Sequence, residues 1–178
     1  MKRASGYWLG LAVVATAIAV PAMAADLTVA MHRLTQDGTG ENLGTIVIAA
    51  SNTGTAFRLA LHGLPPGPHG FHVHENGNCG PTLMNGTRIP GGAAGGHLDP
   101  DHTGVHAGPG GEGHLGDLPV LEVDANGTAK QILAAPRIKD TDVLKGHALI
   151  IHLGGDNYSD SPSLLGGGGG RFACGVVE

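Results

Sequence analysis

The chain has 178 residues, with 32 Gly, 11 His, two Cys, only 3% aromatic residues and a formal charge of −5. An acidic balance argues against a nucleic-acid or anionic-membrane binder, and the length is one domain's worth, enough to bury a real core. Many glycines and few aromatics predict long loops between short strands, and so many histidines point to metal.

Lys2 and Arg3 precede an uncharged run from Tyr7 to Val20, closed by Pro21 and Ala22-Met23-Ala24. A basic start, a short apolar core and an Ala-x-Ala site form the pattern of a cleaved secretory signal. The run has 14 residues, fewer than the ~20 a spanning helix needs. Lipid attachment would need a Cys at the cleavage point, and the first is Cys79. The expectation is a signal peptide over 1–24, a functional domain over 25–178, no stable membrane anchor and export to the periplasm. Loss of Lys2 and Arg3 leaves 8 basic against 15 acidic residues, a formal charge of −7. Cys79 and Cys174, an even count in an exported chain, read as one disulfide.

After the signal, Leu27–Leu34 alternates apolar and polar residues and predicts a strand. Asp37-Gly38-Thr39-Gly40 turns into a second strand over Leu43–Ser51. Asn52-Thr53-Gly54 turns into a third over Thr55–His62. Pro65-Pro66-Gly67-Pro68 interrupts before Gly70-Phe71-His72-Val73-His74. On that strand His72 and His74, two residues apart, project from one face, while His69 is expected on the opposite face. Regular structure is then expected to stop from Glu75 to about Asp117. A stretch that long without regular structure is functional in a compact domain, and this one holds four of the eleven His. Strands resume at Leu118–Asp124. Asn126-Gly127 predicts a hairpin back along Thr128–Ala134. His147–Leu153 and Arg171–Val177 are the last strands, separated by a loop over Gly154–Gly170 that ends in five glycines. No segment after the signal has a helical period, and the glycine run lacks the strand-to-helix context of a phosphate loop. The fold class is all-β: about eight strands in a Greek-key barrel or sandwich with two long functional loops.

Six His and one Asp stand out as candidate ligands: His72, His74, His97, His106, His114, His152 and Asp117. That is too many for one tetrahedral site and suits two. Imidazoles with a carboxylate fit zinc, and an all-imidazole set fits copper. His32, His62, His69, His102 and His147 have no partner at a telling spacing and are read as structural or neutral.

Gly70-Phe71-His72-Val73-His74, Gly96-His97-Leu98-Asp99-Pro100, Gly113-His114-Leu115-Gly116-Asp117-Leu118-Pro119, His152-Leu153-Gly154-Gly155-Asp156-Asn157 and Gly170-Arg171-Phe172-Ala173-Cys174-Gly175-Val176 together resemble the copper/zinc superoxide dismutases, most closely the bacterial exported branch. The resemblance covers essentially the whole of 25–178, with the motifs in family order. It implies one copper per subunit on His72, His74, His97 and His152, and one zinc on His97, His106, His114 and Asp117. It also implies His97 as the bridge between them and Arg171 as the arginine beside copper. Asp156 is implied as a carboxylate joining a copper-ligand and a zinc-ligand imidazole, and Cys79–Cys174 as the internal disulfide. The implied reaction converts superoxide, a small anion, to dioxygen and hydrogen peroxide, with Arg171 and His97 as catalytic residues. A homodimer is left open.

The alternative, a non-catalytic periplasmic copper carrier on the same fold, needs neither an anion site nor a bridging imidazole, and this sequence keeps the residues for both. The 154–170 loop carries Asp156 and Asp160 but no Lys or Arg. Long-range attraction of superoxide must then come from Arg88, Lys139 or Lys145, or be weak.

Overall fold

The structure, a computed structural model, describes residues 25–178; the expected signal segment lies outside the described residues. Among the latter are eleven strands, all paired antiparallel. In chain order they are β1 Leu27–Thr35, β2 Gly38–Ser51, β3 Gly54–Leu61, β4 Gly67–His69, β5 Phe71–His74, β6 Thr82–Met84, β7 Thr87–Ile89, β8 Leu121–Val123, β9 Ile132–Ala135, β10 Ala148–His152 and β11 Arg171–Val176.

Seven strands form one sheet in the order β5-β10-β11-β1-β2-β3-β9, and β4 pairs with β8. Four strands separate β3 from β5 in that order, yet Phe57 of β3 and Phe71 of β5 meet edge to face at 5.7 Å. The sheet therefore curls until its ends face one another, as right-handed twist and a continuous apolar face require. Phe57, Phe71, Val73, Leu149 and Ile151 lie in the enclosed core.

The opposite phase of the same strands points out of the barrel. His74 pairs with Ala148 and His72 with Ile150, and Ile150 pairs with Cys174. Residues opposite each other in an antiparallel pair share a face, so His72 and His74 stand on the outer face with Ala148, Ile150 and Cys174. These last three form a smaller apolar cluster with Leu34 and Ala94. The Cys79–Cys174 disulfide closes a sequence separation of 95 residues and ties the long loop after β5 onto this outer face.

Three expectations are corrected. The 75–117 stretch is not without regular structure: it holds the β6–β7 hairpin and a 3-10 turn at Gly92–Ala94. Asn85 and Gly86, at φ 50° and 79°, make the left-handed two-residue turn that favours such a hairpin. The chain does turn at Asn126-Gly127, with Asp124 N donating to Thr128 O at 2.9 Å, but the flanking strands part company. β8 goes to β4, where Leu121 and Val123 fill the core, and β9 pairs with β3 to become the edge of the seven-stranded sheet. Finally, His69 belongs to the separate strand β4, not to the His72 strand, and the count rises from eight strands to eleven because β4, β6 and β7 are three residues each.

Candidate metal centre

Two loop segments meet beside β5. Val73 N donates to Gly116 O at 2.9 Å, Leu98 N to Val73 O at 2.8 Å and Gly116 N to Leu98 O at 2.9 Å. These bonds set His74 against His97 and His72 against Asp117. A side chain at Gly116 would run into Val73 O, so glycine is what permits this approach. On β10 the register shifts between Ile151 and His152, which brings His152 opposite Arg171 of β11. Such a bulge re-aims the side chains beside it. Each of the six His and Asp117 is 7% exposed or less.

The ring nitrogens sort themselves by their partners. His72 Nε2 faces Asp156 Oδ2 at 2.7 Å, His74 Nδ1 faces Gly95 O at 3.0 Å and His152 Nδ1 faces Gly169 O at 3.2 Å. The remaining nitrogens point inward. His74 Nε2 and His152 Nε2 are 3.3 Å apart, and His72 Nδ1 and His97 Nε2 are buried without any hydrogen-bond partner. A buried polar atom left unpaired is costly. Four imidazoles arranged this way are satisfied together by a cation that prefers nitrogen.

A second set converges on one oxygen. His97 Nδ1 and His106 Nδ1 each lie 2.9 Å from Asp117 Oδ1, and His114 Nδ1 lies 3.3 Å from it. The other oxygen, Oδ2, is held by Ala107 N at 3.0 Å. His106 Nδ1 makes no well-directed hydrogen bond despite that distance. Three imidazole nitrogens and one carboxylate oxygen are the donor set of a tetrahedral zinc site. His72, His74, His97 and His152 place ligand atoms within 4.8 Å of one another, as do His72, His97, His106 and Asp117. His72 and His97 belong to both groups, and their rings stack at 3.9 Å.

Burial, which disfavours the charged ring, holds His72 below its ordinary value, His74 well below it, His97 at about 4 and His152 at about 3. They are neutral at pH 7 and keep lone pairs for a metal. His106 goes the other way: burial opposes its charge, but Asp117 and Asp156 outweigh burial and raise it to about 9. Both carboxylates, although partly desolvated, are held far below the usual range by their imidazole and backbone donors. A cation in the second set would replace that proton.

Asp156 joins the groups from outside. Its Oδ2 meets His72 Nε2 and its Oδ1 meets His106 Nε2 at 2.8 Å. Arg171, half-buried, donates from Nη1 to Gly91 O and from Nη2 to Gly95 O. Cys79 and Cys174 are bonded. Of the other His, His69 spans two carbonyls, His152 O and Pro65 O, each at 2.7 Å, and so braces the main chain of His152. His147 Nδ1 meets Glu75 O at 2.6 Å, and His32 Nδ1 is 3.3 Å from Gly40 O. None of these three, nor the exposed His62 and His102, lies in either group. Arg88 is paired with Asp37 and Lys145 with Asp142.

Sequence reasoning passed over two contacts. Asp160 accepts from the main-chain N of His106 at 2.8 Å, and Arg137 donates to the His114 carbonyl at 3.0 Å. Both act on backbone, and residue spacing carries no signal for that.

Residues 42–177 match the family model for copper/zinc superoxide dismutase. The chain is 51% identical, over all 178 residues and the full length of the relative, to "Superoxide dismutase [Cu-Zn] 2" of Salmonella typhimurium. It superposes on the copper/zinc superoxide dismutase of Brucella abortus with a TM-score of 0.85 at 47% identity, covering 86% of this chain and 100% of that one. For the solution structure of the monomeric enzyme of Salmonella enterica the TM-score is 0.78 at 52% identity, with the same coverage. The curled antiparallel barrel, the two His groups sharing His72 and His97 and these matches lead to one conclusion: the chain belongs to the copper/zinc superoxide dismutase family.

Proposed function

We propose that this protein disproportionates superoxide, with copper held by His72 Nδ1 and the Nε2 atoms of His74, His97 and His152. Zinc would be held by the Nδ1 atoms of His97, His106 and His114 with Asp117 Oδ1. His114 is assigned to the second set in preference to His72 because its Nδ1 approaches Asp117 Oδ1, which leaves His72 to the all-imidazole set. The observation that carries the reading is His97, whose two ring nitrogens serve different groups.

Bound copper supplies a one-electron couple that neutral nitrogen donors tolerate in both states, and bound zinc supplies charge without redox chemistry. The protein must then position an anion and deliver protons. Two superoxide ions and two protons become one dioxygen and one hydrogen peroxide, one superoxide losing the electron that the other gains. Arg171 offers the anion its positive charge and the N–H groups left free by Gly91 O and Gly95 O. Because those carbonyls are main-chain atoms of the disulfide-tied loop, the guanidinium is placed before substrate arrives. His97 Nε2 is the atom at which a proton is held and passed to the reduced substrate. Asp156 and Gly95 O fix the tautomers of His72, His106 and His74.

All residues of both sites come from one chain, so the chemistry does not require a second subunit. The pattern of residues 1–24 supports export and removal of that segment, with 25–178 acting in the periplasm. Among the described residues no helix is long and apolar enough to cross a membrane.

The test is superoxide consumption by the purified protein loaded with copper and zinc, beside the same protein loaded with zinc alone. Fast, copper-dependent loss is expected. A full load of both metals without activity would instead favour a copper carrier.

A further inference from the structure

The loop from Gly154 to Gly170 is fastened to His106 twice, and the second fastening has no role in the function proposed above. The first is Asp156 on the His106 ring. The second is Asp160 on the His106 main chain. Asp160 Oδ2 accepts from His106 N at 2.8 Å, while Oδ1 accepts from Leu165 N at 3.0 Å. Neither oxygen belongs to a ligand group.

Leu165 and Gly166 both have left-handed backbone, at φ 52° and 70°. Gly166 N donates to Ser159 O at 3.0 Å, and Asn157 N donates to Gly166 O at 3.1 Å. This knot lies directly over the bond between Asp156 and His106. A Cβ on Gly166 would collide with Asp156 Oδ1 and come within 2.8 Å of His106 Nε2. The loop backbone therefore roofs that hydrogen bond, and Asp160 holds the roof at one oxygen and the His106 main chain at the other.

We propose that Asp160 is a positioning residue for the zinc half-site: its carboxylate sets the His106 backbone and the Leu165–Gly166 roof at a fixed separation, so that the His106 ring is presented to the metal and its bond to Asp156 is kept dry. The proposal rests on the assignment of His106 to zinc. A bond to Leu165 alone would be a local turn contact within one loop. The bond to His106 spans 54 residues and makes the carboxylate a link between loops.

The chemistry of the two donors supplies a sharp probe. Both partners are main-chain N–H groups, so both side-chain atoms must accept. Asparagine has the same shape but only one accepting oxygen; its NH2 would oppose the other N–H. Asp160→Asn therefore breaks one link with almost no change of volume, and Asp160→Ala breaks both. Asp101→Asn, at an exposed acid between His97 and His106, removes the same charge without touching either link.

The experiment follows three readouts in the purified protein and these variants: the rate of zinc extraction by a chelator, the visible absorption of cobalt(II) placed in the zinc site, and the unfolding midpoint of the metal-free form. The expected result is about 10-fold faster zinc release in D160N, in the range found when outer partners of metal ligands are removed. A changed cobalt spectrum and a larger effect in D160A are also expected, with D101N like the parent. Zinc release and a cobalt spectrum in D160N identical to the parent would overturn the proposal. So would a loss matched by D101N, or one explained by an equal fall of the metal-free midpoint. If the parent itself takes up no cobalt in a second site, the zinc assignment fails, which is a distinct outcome read on the parent alone.

Discussion

His74 and Arg171 share one acceptor. His74 Nδ1 lies 3.0 Å from Gly95 O, and Arg171 Nη2 donates to the same oxygen. Gly95 sits at φ 76°, and a side chain there would press on Glu75 and Asn76. One carbonyl thus fixes the tautomer of His74, the proposed copper ligand, and the direction of the Arg171 guanidinium proposed to meet the anion. Arg171→Ala should lower kcat/KM for superoxide about 100-fold, the scale on which a placed anion donor acts, with copper and zinc content unchanged. Arg171→Lys should recover only part of it, since an ammonium cannot span Gly91 O and Gly95 O together. Full activity in R171A would remove Arg171 from the mechanism.

Asp156→Asn should weaken both metals at once. The two carboxylate oxygens serve His72, proposed for copper, and His106, proposed for zinc, at 2.7 and 2.8 Å, and an amide can accept from only one of them. About 10-fold weaker binding of each metal is expected, measured by competition with chelators of known affinity. Loss of one metal with the other held at parental affinity would contradict the bridging role.

Acid and alkali should both destabilise the metal-free protein. His97 and His152 are held at about 4 and about 3, and His72 and His74 are also lowered, by burial. Below the ordinary His value of ~6.5 the unfolded chain takes protons that the folded one refuses, so stability falls as pH drops from about 6.5 towards 4. The depressed Asp117 and Asp156 add stability that is present above ~3.9 and lost as pH falls further. His106, raised to about 9, contributes stability that is complete below ~6.5 and lost as pH rises through 9. The unfolding midpoint of the metal-free form should peak near pH ~6.5; a steady rise from pH ~6 to ~9 would contradict the charge state given to His106.

Salt should not slow the enzyme. The 154–170 loop has no Lys or Arg, and the chain without residues 1–24 carries a formal charge of −7. Arg88 and Lys145 are tied to Asp37 and Asp142. The long-range field opposes an anion, and the attraction proposed for it is local, from Arg171 and the bound metal ions. Raising ionic strength from about 10 mM to about 150 mM shortens the screening length from about 30 Å to about 8 Å. Over that range kcat/KM should hold or rise. A steep fall would reveal cationic steering from Lys139 or another exposed base.

Much of this arrangement was legible in the sequence because it depends on spacing. His72 and His74 had to share a strand face, and Phe71 and Val73 had to take the core face; all four are buried. The alternating segments became β1, β2, β3, β10 and β11. What escaped is set by main-chain atoms and long-range closure. The Asn85-Gly86 hairpin was hidden in a glycine-rich stretch where turn residues are everywhere. The strands flanking Asn126-Gly127 took different partners: β8 pairs with β4 in a sheet of two, while β9 closes the end of the curled sheet on β3. The shift that sets His152 opposite Arg171, the Gly95 carbonyl and the grip of Asp160 on His106 leave no periodicity to read.

The central claim is that one side chain, His97, belongs to both metals. The direct measurement is electron paramagnetic resonance of the protein with copper(II) in the all-imidazole site and cobalt(II) in the carboxylate-bearing one. An imidazolate shared between two cations couples their spins, so the copper(II) signal should lose most of its intensity and return when zinc replaces cobalt. A copper signal of full intensity in the doubly loaded protein would put the metals on separate ligands and contradict the account.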